Sequence, residues 1–185
     1  FKSASAGGAY QLVPAHTQVI FKIQHAGVSW QYGQLVSERG GTPTISGGFT
    51  IDETDPGKMT ANFKIDLARS IYTANKKRDA HLNSGDFFDT KQFPNLTFKS
   101  TGVEAKGANL YHVTGDLTMH GQTKSVTIPF EHVGSADLPP EMGGFTTGFN
   151  GELTIKRSDW GMNTMIGKGL SDEVIFMVAV EGARK

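Results

Sequence analysis

The sequence predicts an all-β protein, an antiparallel barrel or sandwich of eight or more short strands, and three observations carry that prediction. Its dominant period is two. In QVIFKIQHA, Val19, Phe21 and Ile23 alternate with Ile20, Lys22 and Gln24; in TANFKIDLA, Ala61, Phe63, Ile65 and Leu67 alternate with Thr60, Asn62, Lys64 and Asp66. Turn signals such as Asp55-Pro56-Gly57, Gly107-Ala108-Asn109 and Pro139-Pro140 separate such runs. No long helical pattern intervenes between consecutive strands, which disfavours a parallel α/β sheet.

Taken in order, FKSASAGGA (residues 1–9) reads as a small, flexible leader, of the kind that signal-peptide removal or trimming leaves, and 10–185 as a single domain. Further strands are expected at 28–36, 44–51, 96–101, 111–119, 123–132, 145–156 and 174–181. In GDLTMHGQTKSVTIPF, Leu117 and Met119 face one way, His120-Gly121 supplies a turn in which Gly takes positive φ, and Val126, Ile128 and Phe130 bring an apolar face back. Residues 73–84 lack β-branched runs. Asn75 can cap a turn there, and Ala80 and Leu82 are good helix formers, so a short helix is expected on a crossover over 76–84, with a further turn at 158–161. The 23 glycines suit tight hairpins and bends at barrel corners.

Composition excludes several functions. A chain of 185 residues favours one domain and buries roughly 70% of the surface exposed by its unfolded form. Lys plus Arg and Asp plus Glu both number 18, and no block of like charge exceeds Lys76-Lys77-Arg78, so nucleic acid is not an expected partner. No apolar run approaches transmembrane length. The absence of Cys decides nothing about redox compartment.

Chemistry-bearing residues are densest in KKRDAHLNSGDFFDTKQFP, residues 76–94. Asp79 and the Asp86/Asp89 pair offer carboxylates for acid/base work, but helices and turns carry such residues routinely, and Asp86 reads as a cap. Phe87 and Phe88 are adjacent; on a strand one would plug a barrel end while the other packed outside. His16, His25, His81, His112, His120 and His132 form no HExxH and have no paired Cys, so no local metal motif exists. Neither GxSxG nor a phosphate loop is present.

Four blocks in order resemble the YceI-like family: LVPAHTQVIFKIQHAGVSWQYGQL, KKRDAHLNSGDFFDTKQFPNLTFKST, VTGDLTMHGQTKSVTIPF and RSDWGMNTMIGKGLSDEVIFMVAVEG. Together they span residues 12–182. The resemblance implies a lipocalin-like antiparallel barrel with an elongated apolar channel for a long isoprenoid-type lipid, polyprenyl or isoprenoid quinone, stored or transported mostly in the periplasm. It implies no cofactor beyond that lipid, and self-association as a homodimer stays open. Two departures stand out. SERGGTPTISGGFTID lengthens the link after the second strand and is expected to alter a channel mouth, and Gly85 stands where many family members carry Pro.

The resulting candidate ligand-binding residues are Phe21, Ile23, His25, Phe63, Ile65, Phe87, Phe88, Phe98, Leu117, Ile128, Phe130, Phe149 and Phe176, with no catalytic residue and no metal ligand. Such an interior either fills itself or takes an apolar guest. Two functions remain, a non-catalytic lipid carrier, store or sensor, and an enzyme acting on such a lipid through His25, Asp79 or His81 at the channel mouth; a third, a purely structural interaction module, would leave the barrel full. Arg78 and Asp79 are expected to tie the 76–84 helix to neighbouring loops.

Overall fold

The computed structural model describes residues 7–185. The strands are β1 (Gly8–Leu12), β2 (Gln18–His25), β3 (Ser29–Leu35), β4 (Glu38–Arg39), β5 (Thr42–Pro43), β6 (Ile45–Ile51), β7 (Thr60–Asp66) and β8 (Ile71–Tyr72). They continue as β9 (Asn95–Ala105), β10 (Leu110–Met119), β11 (Gln122–Asp137), β12 (Phe145–Lys156) and β13 (Leu170–Arg184). Helices α1 (Leu67–Ser70) and α2 (Lys76–Asn83) lie between β7 and β9. Of the expected leader, residues 1–6 lie outside the described residues, whereas Gly8 and Ala9 already pair with Ile51 and Thr50. The strand thus begins inside the expected 1–9 segment.

Neighbouring strands run in the order β1-β6-β7-β9-β10-β11-β12-β13, and β1 pairs with β13 to close an eight-stranded antiparallel barrel. Closure removes the free edges that an open sheet would expose. β13 is long enough to hold two partners on one side: Gly182 to Arg184 pair with β1, and Leu170 to Ala179 with β2. From β2 the sheet continues through β3 to β8, extending the wall at one end.

The period-two pattern becomes the inward face. Val19, Phe21, Ile65, Phe98, Leu117, Ile128, Phe130, Phe149, Ile155 and Phe176 belong to one buried cluster. The wall admits large inward rings by placing glycine beside them. Phe21 pairs directly with Gly33 and Phe130 with Gly151, so each ring lies over a position without Cβ. The β10–β11 hairpin closes through His120 and Gly121 at φ 50° and 71°, both left-handed, as a two-residue turn matching strand twist requires.

The lengthened segment is itself ordered into short strands. Its β4–β5 hairpin packs toward α1 and β8, with Arg39 donating to the Ile71 carbonyl at 3.3 Å and Arg69 donating to the Arg39 carbonyl at 3.3 Å. Further along the link, Ile45, Phe49 and Thr50 line the apolar interior. β4 and β5 pair because Gly40 and Gly41, at φ 61° and 72°, reverse the chain.

Candidate functional site

Helix α2 and the turn after it cover one barrel end, held by a chain of side-chain bonds. Asn75 Oδ1 accepts from the Lys77 and Arg78 amides at 3.1 Å, capping α2. Asp79 Oδ1 accepts from the Thr73 amide at 2.8 Å and its hydroxyl at 2.6 Å, tying the helix to the strand exit. Asn83 donates to the Asp79 carbonyl, and Thr90 donates to Asn83 Oδ1, each at 2.8 Å. Asp86 does not cap the helix; its carboxylate pairs with His81 Nε2 at 3.0 Å, with both side chains half exposed.

The expectation that Phe87 and Phe88 diverge is corrected. Both are buried and both line the same cavity. They occupy a turn, not a strand: Phe87 N–H donates to the Ser84 carbonyl, Phe88 N–H to that of Leu82, and Asp89 N–H to Ser84, with Asp89 at φ 44°. Consecutive side chains in such a turn are not forced to opposite faces, as they are on a pleated strand.

Behind this cover lies a mouth cavity of about 440 Å³, bounded by the ends of β2, β3 and β13, by α2 and by the segment 155–165. It contains Phe21, Ile23 and His25 of β2, Phe87 and Phe88, and Phe176 of β13. Two smaller apolar cavities continue along the barrel. One of about 70 Å³ is walled by Phe63, Ile65, Phe98, Leu117, Ile128, Phe130 and Phe176; another of about 40 Å³ by Phe49, Met59, Phe63, Phe130 and Phe149. Phe176 is shared by the first two spaces, and Phe63, Phe130 and Val180 by the last two. All thirteen candidate residues therefore lie on one chain of cavities, divided by aromatic side chains.

The far end is aromatic. Tyr10 stacks on Phe49 at 5.1 Å between centroids, and Phe149 meets Phe49 edge-on at 5.5 Å. His132 sits in this interior beside Phe149, its Nε2 within 2.9 Å of Thr147 Oγ1 and 3.2 Å of Ser135 Oγ. Burial pushes its imidazole below the ordinary histidine value, against a smaller opposing effect of the Gly134 backbone. No carboxylate bonds to it among the described residues, so no Ser/His/Asp relay exists there.

Sequence reasoning missed the mouth's charged wall residue, Arg157. It is only 3% exposed. Its Nε donates to the Ser171 carbonyl at 3.0 Å and Nη1 to that of Met162 at 2.7 Å, while the guanidinium lies 5.9 Å from the Phe87 ring centre. Burial lowers the Arg157 value, opposed by the charge of Asp172. Burial draws Asp172 upward, but the Ser158 hydroxyl and amide bonds and the charges of Arg157 and Lys156 outweigh it, holding that carboxyl below its usual range. The available signal was strand phase: Leu153 and Ile155 face inward, so the same alternation turns Arg157 inward.

Among the described residues, no three His, Asp or Glu side chains are grouped to hold a metal ion. Among the described residues, no helix is long and apolar enough to cross a membrane.

Similar proteins share this architecture. A Pseudomonas aeruginosa (strain LESB58) protein named "UPF0312 protein" is 38% identical over 170 residues, covering 92% of this chain and 83% of its own. "Protein YceI" of Escherichia coli O157:H7 is 39% identical over the same shares. The crystal structure of Burkholderia cenocepacia BcnA matches 92% of this chain and 98% of its own with a TM-score of 0.79 at 25% identity. A polyisoprenoid binding domain from Saccharophagus degradans matches 95% and 98% at TM-score 0.69 and 14% identity, a likeness of fold alone. The chain matches the YceI-like domain over residues 10–182, and it belongs to that family.

Proposed function

We propose that this protein is a non-catalytic carrier or store of a long-chain isoprenoid-type lipid, polyprenyl or isoprenoid quinone, held with its chain along the barrel axis. The observation that supports this reading most is the row of apolar cavities leading inward from a mouth of about 440 Å³. A guest there gains by removing apolar surface from water, about 0.8 kcal/mol for each buried CH₂. The cavities are separated by side chains rather than backbone, so a chain threads them when Phe176, Phe63 and Phe130 turn aside. The Saccharophagus neighbour, named for polyisoprenoid binding, shares the barrel that such a chain would occupy.

A binding role also fits the polar groups at the mouth. Both bonds from Thr73 fall on the Asp79 carboxylate, which leaves it engaged with Thr73 rather than poised as an acid or base over the cavity. The proposed activity needs no cofactor. We put it in the periplasm on the family resemblance, and fractionation of the native cells tests that location.

Mass spectrometry of an organic extract of the native protein tests the function. One long-chain lipid per protein molecule supports a carrier. Conversion of that lipid into a modified product over time overturns the non-catalytic reading, and extracts without lipid from protein that also fails to bind isoprenoids overturn both.

A further inference from the structure

The mouth end of the barrel carries an exposed aromatic surface. On β3 the buried positions Gly33 and Leu35 set a strand phase that turns Trp30 and Tyr32 away from the core, leaving them 44% and 57% exposed. The register puts Lys22 opposite Tyr32, and Tyr72 opposite Gln34, on that same face. Val28, in the turn before β3, is 85% exposed, and the Ala26 amide donates to the Gly169 carbonyl at 2.8 Å, which fastens this turn beside the segment that carries exposed Met165. Scattered apolar side chains are ordinary on a protein surface, whereas a group of them around an apolar opening marks an interaction face. Leu110, Val133 and Met142, the other large apolar side chains exposed among the described residues, lie toward the opposite end.

Basic side chains border this surface. Lys76, Lys77 and Arg78 open α2 shortly after Tyr72, all three are exposed, and none forms an ion pair among the described residues. Lys168 is exposed in the Met165 segment. Lys22 Nζ lies 5.4 Å from the Trp30 ring centre, so its stem runs along apolar surface while its charge reaches outward. The nearby carboxylates are engaged: Asp79 with Thr73 and Asp86 with His81, while Glu173 stands opposite Lys156. Trp and Tyr rings, apolar in body and polar at the tip, settle at the head-group level of a bilayer, and adjacent Lys and Arg are drawn to anionic lipids. A second copy of this chain fits the face less well, because a two-fold contact sets one positive rim against another.

We propose that the barrel docks mouth-first on an anionic phospholipid surface, with Val28, Trp30, Tyr32 and Tyr72 at head-group depth and the α2 cations against lipid phosphates. Docked in this way, a long apolar chain passes between bilayer and barrel without crossing open water, a crossing that each exposed CH₂ makes more costly. The inference rests on the carrier reading above for its purpose, while the docking face stands on its own side chains.

Flotation of the full chain with vesicles of phosphatidylcholine alone, and of an equal mixture with phosphatidylglycerol, tests it. Binding should require the anionic lipid and weaken as salt rises. At about fivefold per cation, Lys76→Gln combined with Lys77→Gln should lower the partition coefficient roughly 25-fold. Neither lysine lines the cavity, so lipid retention should stay as in the wild type. Trp30 reports on depth, because the other tryptophan, Trp160, is only 2% exposed. Docking should move Trp30 emission to shorter wavelength and open it to quenching by phospholipids brominated on their acyl chains, and Trp30→Ser should weaken vesicle binding. No binding to the anionic vesicles, binding indifferent to lipid charge, or Trp30 emission unmoved on binding overturns the docking face. Sedimentation velocity without vesicles tests the rival occupant: a dimer that Trp30→Ser dissolves assigns the face to a second copy and overturns the proposal too. The carrier reading is judged separately. A protein that retains lipid but ignores vesicles loses only the docking face, and one that docks yet neither retains nor binds isoprenoids loses only the carrier role.

Discussion

Replacing Gly151 with Ala should block the barrel from within. Gly151 pairs directly with Phe130, and a methyl group there would meet ring carbons Cδ1 and Cε1 of Phe130 at 2.7 Å and the Pro129 carbonyl oxygen at 3.0 Å. The backbone cannot yield easily, because Gly151 is also paired with Val178 inside the continuous β12–β13 ladder. The ring moves instead, away from the wall and into the space where the two inner cavities meet. Overpacking of this kind costs about 1–3 kcal/mol, which lowers the melting temperature of a chain this size by roughly 2–12 °C. The diagnostic effect is on chain length. At about 0.3 kcal/mol per ligand atom, an isoprene unit of about five carbons contributes about 1.5 kcal/mol, or roughly a tenfold gain in affinity. Titration of delipidated protein with prenols of increasing length should show such gains continuing in the wild type but stopping earlier in Gly151→Ala, with the shortest prenols unaffected. Uniform loss across all lengths, or no loss at any length, would refute the idea that the chain passes Phe130.

Other expectations follow from single contacts. Asp79→Ala removes the carboxylate that receives two bonds from Thr73 and should cost about 1.5–3 kcal/mol; thermal melting checks the cost, and a stopped-flow dilution should show faster lipid release as α2 loosens. Gly85→Pro should stabilise by about 0.4–1 kcal/mol, because Ser84 already has φ −77° and ψ 172°, the extended geometry that precedes proline, and Gly85 has open space around it. Urea unfolding measures this, and destabilisation would show that the amide or angle at 85 matters. His132 predicts a pH effect. Its folded value is depressed, so the unfolded chain takes up the proton first, and stability is complete above about 6.5 and falls as pH drops toward the folded value. Melting temperatures across that range should slope less in His132→Gln, and an unchanged slope would contradict burial of the neutral ring.

The strands were legible because a closed barrel imposes one inside and one outside, so alternation in QVIFKIQHA and TANFKIDLA had a single structural meaning. Asn75 and His120-Gly121 were legible for a local reason: a cap and a two-residue turn depend on residues adjacent in sequence. Phe87 and Phe88 were misread because a strand rule was applied to a turn whose geometry is set by carbonyls of Leu82 and Ser84. The partners of the long link after β3 were not legible, because its contacts with Ile71 and Arg69 join residues distant in sequence. Arg157 and His132 were visible in principle, since each continues an inward apolar phase; sorting polar residues by motif rather than by strand phase concealed them. The cavities themselves were not legible, because the same apolar residues can fill a barrel or line a channel.

Position of the lipid tail is the most direct measure of the central claim. A polyprenyl chain carrying a photoreactive diazirine at its terminal carbon can be bound, irradiated and mapped by peptide mass spectrometry. Channel burial predicts that the tail labels inward residues past the mouth, such as Phe63, Phe98, Ile128 or Phe130. Labelling confined to exposed Val28, Trp30 and Tyr32, or spread evenly over the surface, would contradict it.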